Sequence, residues 1–122
     1  TPEEWVRQNF IRYLIHEGRY PSGLIAVEMS FIYNKLKRRA DIVVCDRNGK
    51  PVLIVECKSS DVEIIDNEVF DQVNNYNREF DVPYYIVTNG LVHLAFKVNP
   101  ESKRPEYLNV IPLYEDILSR NL

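Results

Sequence analysis

The segment DIVVCDRNGKPVLIVECK, Asp41 to Lys58, decides how this chain folds. Two apolar runs flank Asn48-Gly49. An Asn-Gly pair in that setting is the strongest short-range sign of a two-residue type I′ hairpin. Such a loop pairs Arg47 with Lys50, Cys45 with Val52, Val43 with Ile54 and Asp41 with Glu56. Two carboxylates then face each other across a strand pair, roughly 5 Å apart at Cβ, where like charges repel. A cation between them removes the repulsion. Lys58 lies two residues beyond Glu56 and shares its face. Two facing carboxylates and a lysine on one hairpin face suit a Mg²⁺ ion and a phosphate.

Both faces of this hairpin are apolar. Val43, Val52 and Ile54 share the carboxylate face, and Ile42, Val44, Leu53 and Val55 the other. Strands apolar on both sides are covered on both sides, so the sheet belongs in the middle of an α/β sandwich. The flanking segments agree. Thr1-Pro2-Glu3-Glu4 reads as a capping box opening a helix to about Glu17, with Val6, Phe10, Leu14 and Trp5, Ile11, Ile15 as a wide apolar face. Leu24 to Tyr33 reads as a strand, with Val27, Met29 and Phe31 on one side and Glu28 and Ser30 on the other. Beyond the hairpin, Ser59 to Asp66 is polar. Val69, Val73, Tyr76 and Phe80 then mark a helix from about Asn67 to Phe80. Strands are expected at Tyr84 to Thr88, Leu91 to Val98 and Tyr107 to Ile111, with a turn at Asn89-Gly90. Pro112 opens a last helix ending near Arg120.

At 122 residues, 45% hydrophobic and 27% charged, the chain fits one globular domain over residues 1–122. It holds no apolar run of transmembrane length. Cys45 and Cys57 fall on opposite hairpin faces, so they do not bridge. Reduced thiols suit a cytoplasmic protein. The net charge of −3 argues mildly against strong non-specific nucleic-acid binding. Basic residues cluster nonetheless: Lys35, Lys37, Arg38 and Arg39 precede Asp41, read as a solvated loop or a basic patch, and Lys103-Arg104 form a smaller group. No zinc-ligand spacing or Ser/His/Asp arrangement stands out. His16 reads as a surface residue near a helix end, and His93 sits in a strand without an evident partner.

A glutamate-bearing first helix, a hairpin carrying Asp41 and Glu56-Cys57-Lys58, a crossover helix and another strand together resemble the PD-(D/E)XK nuclease superfamily. Gln72 to Tyr76 matches the Gln-X-X-X-Tyr motif of some branches, including RecB-like nucleases. The stretches PEEWVRQ, IVECKS, FDQVNNYN and YYIVTNG resemble the N-terminal nuclease domain of type I restriction enzyme R proteins, over nearly the whole chain. Ala40 stands where the first motif often has proline. The resemblance implies a restriction-endonuclease-like α/β/α sandwich around a mixed sheet and Mg²⁺-dependent hydrolysis of DNA, with Mn²⁺ as a substitute. It implies Mg²⁺ on Asp41, Glu56 and the Cys57 carbonyl, with Glu4 as a further ligand. Lys58 then acts on the attacking water and the charge of the transition state, and Gln72 and Tyr76 position the site or the DNA. Its implied partners are DNA and the subunits or translocase of a restriction-modification complex, with no membrane.

Alternatives stay open. Glu4 is explained equally well by its cap, and Glu3 or Glu28 could supply the extra carboxylate. Tyr76 also fits the apolar stripe of its helix. An R protein continues into an ATP-driven motor, yet no G-x-x-x-x-G-K-[ST] loop is present here, so a cut-out domain or a small stand-alone relative is expected. One rival function is a non-catalytic module that binds DNA or partner subunits. Another is a structural α/β domain whose carboxylates pair with Arg38 or Arg39.

Overall fold

The computed structural model describes residues 1–33 and 35–119, with side chains at all of these except 31–33, 36 and 38. Helix α1 (Pro2–His16) is followed by strands β1 (Ile25–Tyr33), β2 (Leu36–Cys45) and β3 (Pro51–Cys57). Helix α2 (Asp66–Glu79), strands β4 (Tyr84–Thr88), β5 (His93–Val98) and β6 (Pro105–Leu108), and helix α3 (Tyr114–Leu118) complete the chain. The strands form one six-stranded sheet in chain order, antiparallel except where β3 meets β4. The crossover that makes that pair parallel contains α2, as a parallel connection requires.

Each sheet face has its own core. Val6, Phe10 and Leu14 of α1 and Ile117 of α3 pack with Ile42, Val44, Leu53, Val55 and Ile86. Val69 and Val73 of α2 pack with Val43, Ile54, Tyr85, Val87 and Phe96 on the other side. Helices therefore cover both faces of a central mixed sheet. No helix among the described residues is long and apolar enough to cross a membrane. Cys45 packs with the α2 core and Cys57 with the α1 core, and both thiols are free.

The α1 cap forms as its sequence dictates: the Thr1 hydroxyl accepts from the Glu4 N–H, closing a capping box. The apolar face of α1 is narrower than its sequence suggests, because Trp5 is 59% exposed.

The hairpin loop is not type I′. Gly49 alone takes a left-handed backbone (φ 81°). The Gly49 N–H donates to the Asp46 carbonyl and the Asp46 N–H to the Lys50 carbonyl. The Asp46 carboxylate accepts from the Asn48 and Lys50 N–H groups. This side-chain turn competes with the two-residue loop and wins. Cys45 consequently pairs with Pro51 rather than Val52, and Val52 joins the α1 core instead of the carboxylate face. A bulge between Val44 and Cys45 restores the expected register, pairing Val43 with Ile54.

The other corrections concern boundaries. The Lys35–Arg39 run is mostly strand, because β2 starts at Leu36 and pairs with β1 along its length. Strand β5 starts at His93, β6 lies earlier than expected, and α3 starts at Tyr114. The expected helix end near Arg120, the placement of Phe31 and any pairing by Arg38 lie outside the described residues and side chains.

Candidate metal and phosphate site

The backbone ladder between β2 and β3 ends at Ile42–Val55. One residue further, Asp41 and Glu56 meet the N-terminal end of α1. They line an open cleft of about 370 Å³ together with Glu3, Glu4, Arg7, Glu28, Arg39 and Cys57. The Asp41 carboxylate accepts a hydrogen bond from the Cys57 N–H at 2.7 Å. The Glu56 carboxylate is held from two sides. The Lys58 ammonium stands 3.7 Å from Oε1, and the Tyr76 hydroxyl donates to Oε2 at 3.4 Å.

Burial, followed by the charge of Asp41, raises the Glu56 pKa above the ordinary glutamate value; Lys58 and the Tyr76 hydrogen bond oppose the rise. The Cys57 thiol is pushed up to about 12, chiefly by burial. Burial favours the neutral thiol, and the hard donor this residue offers a Mg²⁺ ion is its carbonyl.

Glu28 occupies a left-handed backbone (φ 50°) on β1, uncommon for a residue with a Cβ. Its carboxylate bridges two arginines, Arg7 and Arg39, each at 2.8 Å. Arg39 thus binds Glu28, and no described ion pair joins it to Asp41 or Glu56. Arg7 was invisible to sequence reasoning as a cleft residue. Its position one helical turn after Glu3 and Glu4 was the available signal.

Of the sequence-predicted site residues, Asp41, Glu56, Cys57 and Glu4 line this cleft, and Lys58 and Tyr76 reach it through Glu56. Gln72 lies one turn before Tyr76, half-buried in a separate surface groove with Asp71 and Asn75. Glu3, Glu4 and Glu28 all line the cleft, but Glu28 is engaged by arginines and Glu4 by its cap. Glu3 has no such partner among the described residues, and its charge is one of the influences that raise Glu56. Among the described residues no cluster of three or more His, Cys, Asp or Glu side chains is poised around one point.

Hard oxygen donors from two carboxylates and a backbone carbonyl fit Mg²⁺, which commonly keeps several waters and takes only one or two protein carboxylates. A cation also suits the raised Glu56, because it offsets the repulsion from Asp41.

The YYIVTNG segment braces this end of the sheet. The Asn89 amide donates to the Val62 carbonyl at 2.8 Å, and its oxygen accepts from the Leu91 and Val92 N–H groups. Gly90 has φ 88° and abuts Val6 of α1, where a Cβ would stand 3.4 Å from a Val6 methyl. The turn therefore fixes α1 relative to β4. His93 is sandwiched against Phe10 and Tyr13 and hydrogen-bonded to Thr88, a structural role.

Two solved structures share this fold. One is a fragment assigned as an HsdR subunit of a type I restriction enzyme from Vibrio vulnificus YJ016, 15% identical, with a TM-score of 0.66 over 98% of this chain. The other is the type IIG restriction endonuclease BpuSI, 21% identical, with a TM-score of 0.51 over 98% of this chain. This chain spans 25% and 15% of their respective lengths. No curated protein matches it. Residues 2–112 match the family described as type I restriction enzyme R protein N terminus, and the chain belongs to that family.

Proposed function

We propose that this domain is a PD-(D/E)XK-type deoxyribonuclease that hydrolyses DNA phosphodiester bonds with Mg²⁺, or with Mn²⁺ in its place. The observation that carries the reading is the convergence of Asp41, Glu56 and Lys58 at the end of one hairpin. A carboxylate with a raised pKa and a second carboxylate line one cleft there, with an ammonium beside them.

Asp41, Glu56 and the Cys57 carbonyl would hold the metal, with Glu3 or Glu4 contacting its waters. When bound, the metal polarises the phosphate and acidifies a water. Lys58 orients the attacking water and offsets the negative charge that grows on the phosphate. Tyr76 holds the Glu56 carboxylate in place. Gln72, one turn away, contacts the DNA rather than the metal. The Glu28 bridge keeps Arg7 and Arg39 at the cleft wall, where they attract the anionic backbone.

The test is a titration of the chain with Mg²⁺ and Mn²⁺, read by melting temperature and by nicking of supercoiled DNA. The reading requires both metal stabilisation and nicking, each lost in Asp41→Asn. A second reading is favoured by the lack of a three-carboxylate cluster among the described residues: the domain binds DNA or partner subunits without cutting. Metal stabilisation without nicking, with DNA binding retained, would select it.

A further inference from the structure

At the end of the sheet opposite the cleft lies a recess of about 510 Å³. Four cations from four separate elements line it: Lys50 from the β2–β3 loop, Arg78 from the last turn of α2, Lys97 from β5 and Lys103 from the β5–β6 loop. One carboxylate, Asp81, stands among them. None of the four cations is in an ion pair with a described carboxylate. Acidic groups outnumber basic ones 18 to 15 in this chain, so four converging cations without a described ion-pair partner, around one carboxylate, are an uneven use of charge. They repel one another, and a bound anion relieves that repulsion.

The Lys103 backbone is held deliberately. Its φ of 61° is left-handed. The Asn77 amide donates to its carbonyl at 2.6 Å, and its N–H donates to the Asn99 carbonyl at 2.9 Å. The Asn99 side chain ties down the Glu101 and Ser102 N–H groups. Backbone strain fixed in this way clusters at ligand sites.

An apolar notch of about 290 Å³ adjoins the recess and shares Lys50, Phe80, Asp81 and Val82 with it. Met29, Val43, Pro51 and Ile54 complete the notch. Val43 and Ile54 face each other two residues inward from Asp41 and Glu56. Notch and recess therefore run from near the cleft along the part of the sheet beside α2. Of β3 the notch takes Pro51 and Ile54, about 10 Å apart along the strand.

We propose that this track binds nucleotide units of a single nucleic-acid strand, with a base in the notch and phosphates on Lys50, Arg78, Lys97 and Lys103. A phosphate alone needs no apolar seat, and a duplex keeps its bases stacked inside. Single strands are held by a cationic groove with aromatic side chains against the bases, and Phe80 is the aromatic of the notch. The proposal stands apart from the cleavage chemistry, since none of these residues is assigned a part in it.

The test uses the intact chain in EDTA and a short fluorescent thymidine oligonucleotide (about eight nucleotides, within the range of small single-strand sites). Anisotropy is followed against salt. Four phosphate contacts give a log–log slope of about −3, at about 0.7 per contact. Lys97→Gln/Lys103→Gln, checked for an unchanged melting temperature, is expected to bind at least about tenfold more weakly, with a slope shallower by about 1.4. An abasic strand of equal length is expected to bind about fivefold more weakly or worse, since a stacked base contributes about 1–3 kcal/mol. Displacement by free nucleoside triphosphate at equal phosphate concentration would identify the free nucleotide as the source, and its failure would identify the strand. An absent interaction, an unchanged slope in the double variant, equal binding of the abasic strand, or equal displacement by polyglutamate would each overturn the proposal. Because the assay contains no metal, these outcomes are independent of whether the chain nicks DNA.

Discussion

Asp41 Oδ2 accepts the Cys57 backbone N–H at 2.7 Å, so a side chain extends the β2–β3 ladder one step beyond its last backbone pair. The same carboxylate thus caps the end of the β2–β3 ladder and lines the cleft. Structure and chemistry share one residue, and substitutions can separate them.

Asp41→Asn keeps an acceptor for Cys57 and removes a charge that repels Glu56. The metal-free variant should be as stable as the parent or slightly more so. Asp41→Ala leaves the Cys57 N–H without its partner, which costs about 1–3 kcal/mol. Urea denaturation in EDTA distinguishes the two. Equal losses in both variants would show that charge, and not the hydrogen bond, sets the stability at this position.

Glu56 yields a pH-dependent prediction. Its folded pKa lies above the ordinary value of 4.5, first through burial and then through Asp41. A raised value means that its contribution to stability is complete below the unfolded pKa and is lost as pH rises through the folded one. Glu56→Gln should therefore melt higher than the parent in EDTA near neutral pH, and the advantage should vanish below about pH 4.5. Added Mg²⁺ or Mn²⁺ should stabilise the parent, by about 2.7 kcal/mol at a hundredfold excess over Kd, and should leave Glu56→Gln nearly unchanged. A parent protein whose melting temperature ignores both pH and metal would falsify the metal site.

Sequence made the sandwich legible because the hairpin is apolar on both faces, which only a doubly covered sheet explains. It also placed Val43 opposite Ile54, although the loop beneath that pair is different. Asp46 captures the turn with its own carboxylate, and the bulge at Val44–Cys45 absorbs the slip. Neither compensation has a signature as strong as Asn-Gly. Asp41 and Glu56 could be brought together from register alone. Arg7, Arg39 and the strained Glu28 could not, since their meeting depends on how α1 docks over β1 and β2, which no local pattern encodes. Lys103-Arg104 showed in the sequence only as a small basic group, because the recess that Lys103 lines also needs Lys50 and Arg78, far from it in the chain.

Tyr76 couples α2 to the site. Its hydroxyl lowers the Glu56 pKa, while its ring packs against Phe80 and Tyr85. Tyr76→Phe keeps the ring and removes the donor. Stability should change by less than about 1 kcal/mol, in line with one long hydrogen bond. Glu56 should then titrate higher, moving the acid limb of the nicking profile to higher pH. An unmoved limb would confine Tyr76 to core packing.

Lys58 separates binding from chemistry. Its ammonium lies 3.7 Å from Glu56 Oε1, a third exposed, where it competes with a cation for the same carboxylate. Lys58→Ala should therefore bind Mn²⁺ as tightly as the parent or slightly more tightly. Its nicking rate should nonetheless fall by about 10²–10³, the usual loss when one donor to the transition-state charge is removed. An interaction made in the transition state is missed in the rate and not in ground-state binding. Glu56→Gln should instead lose metal affinity and rate together. Calorimetric Mn²⁺ binding scored beside nicking of supercoiled DNA separates the two variants. Parent-like nicking by Lys58→Ala would remove the lysine from the mechanism, whereas joint loss of binding and rate would make it a structural partner of Glu56.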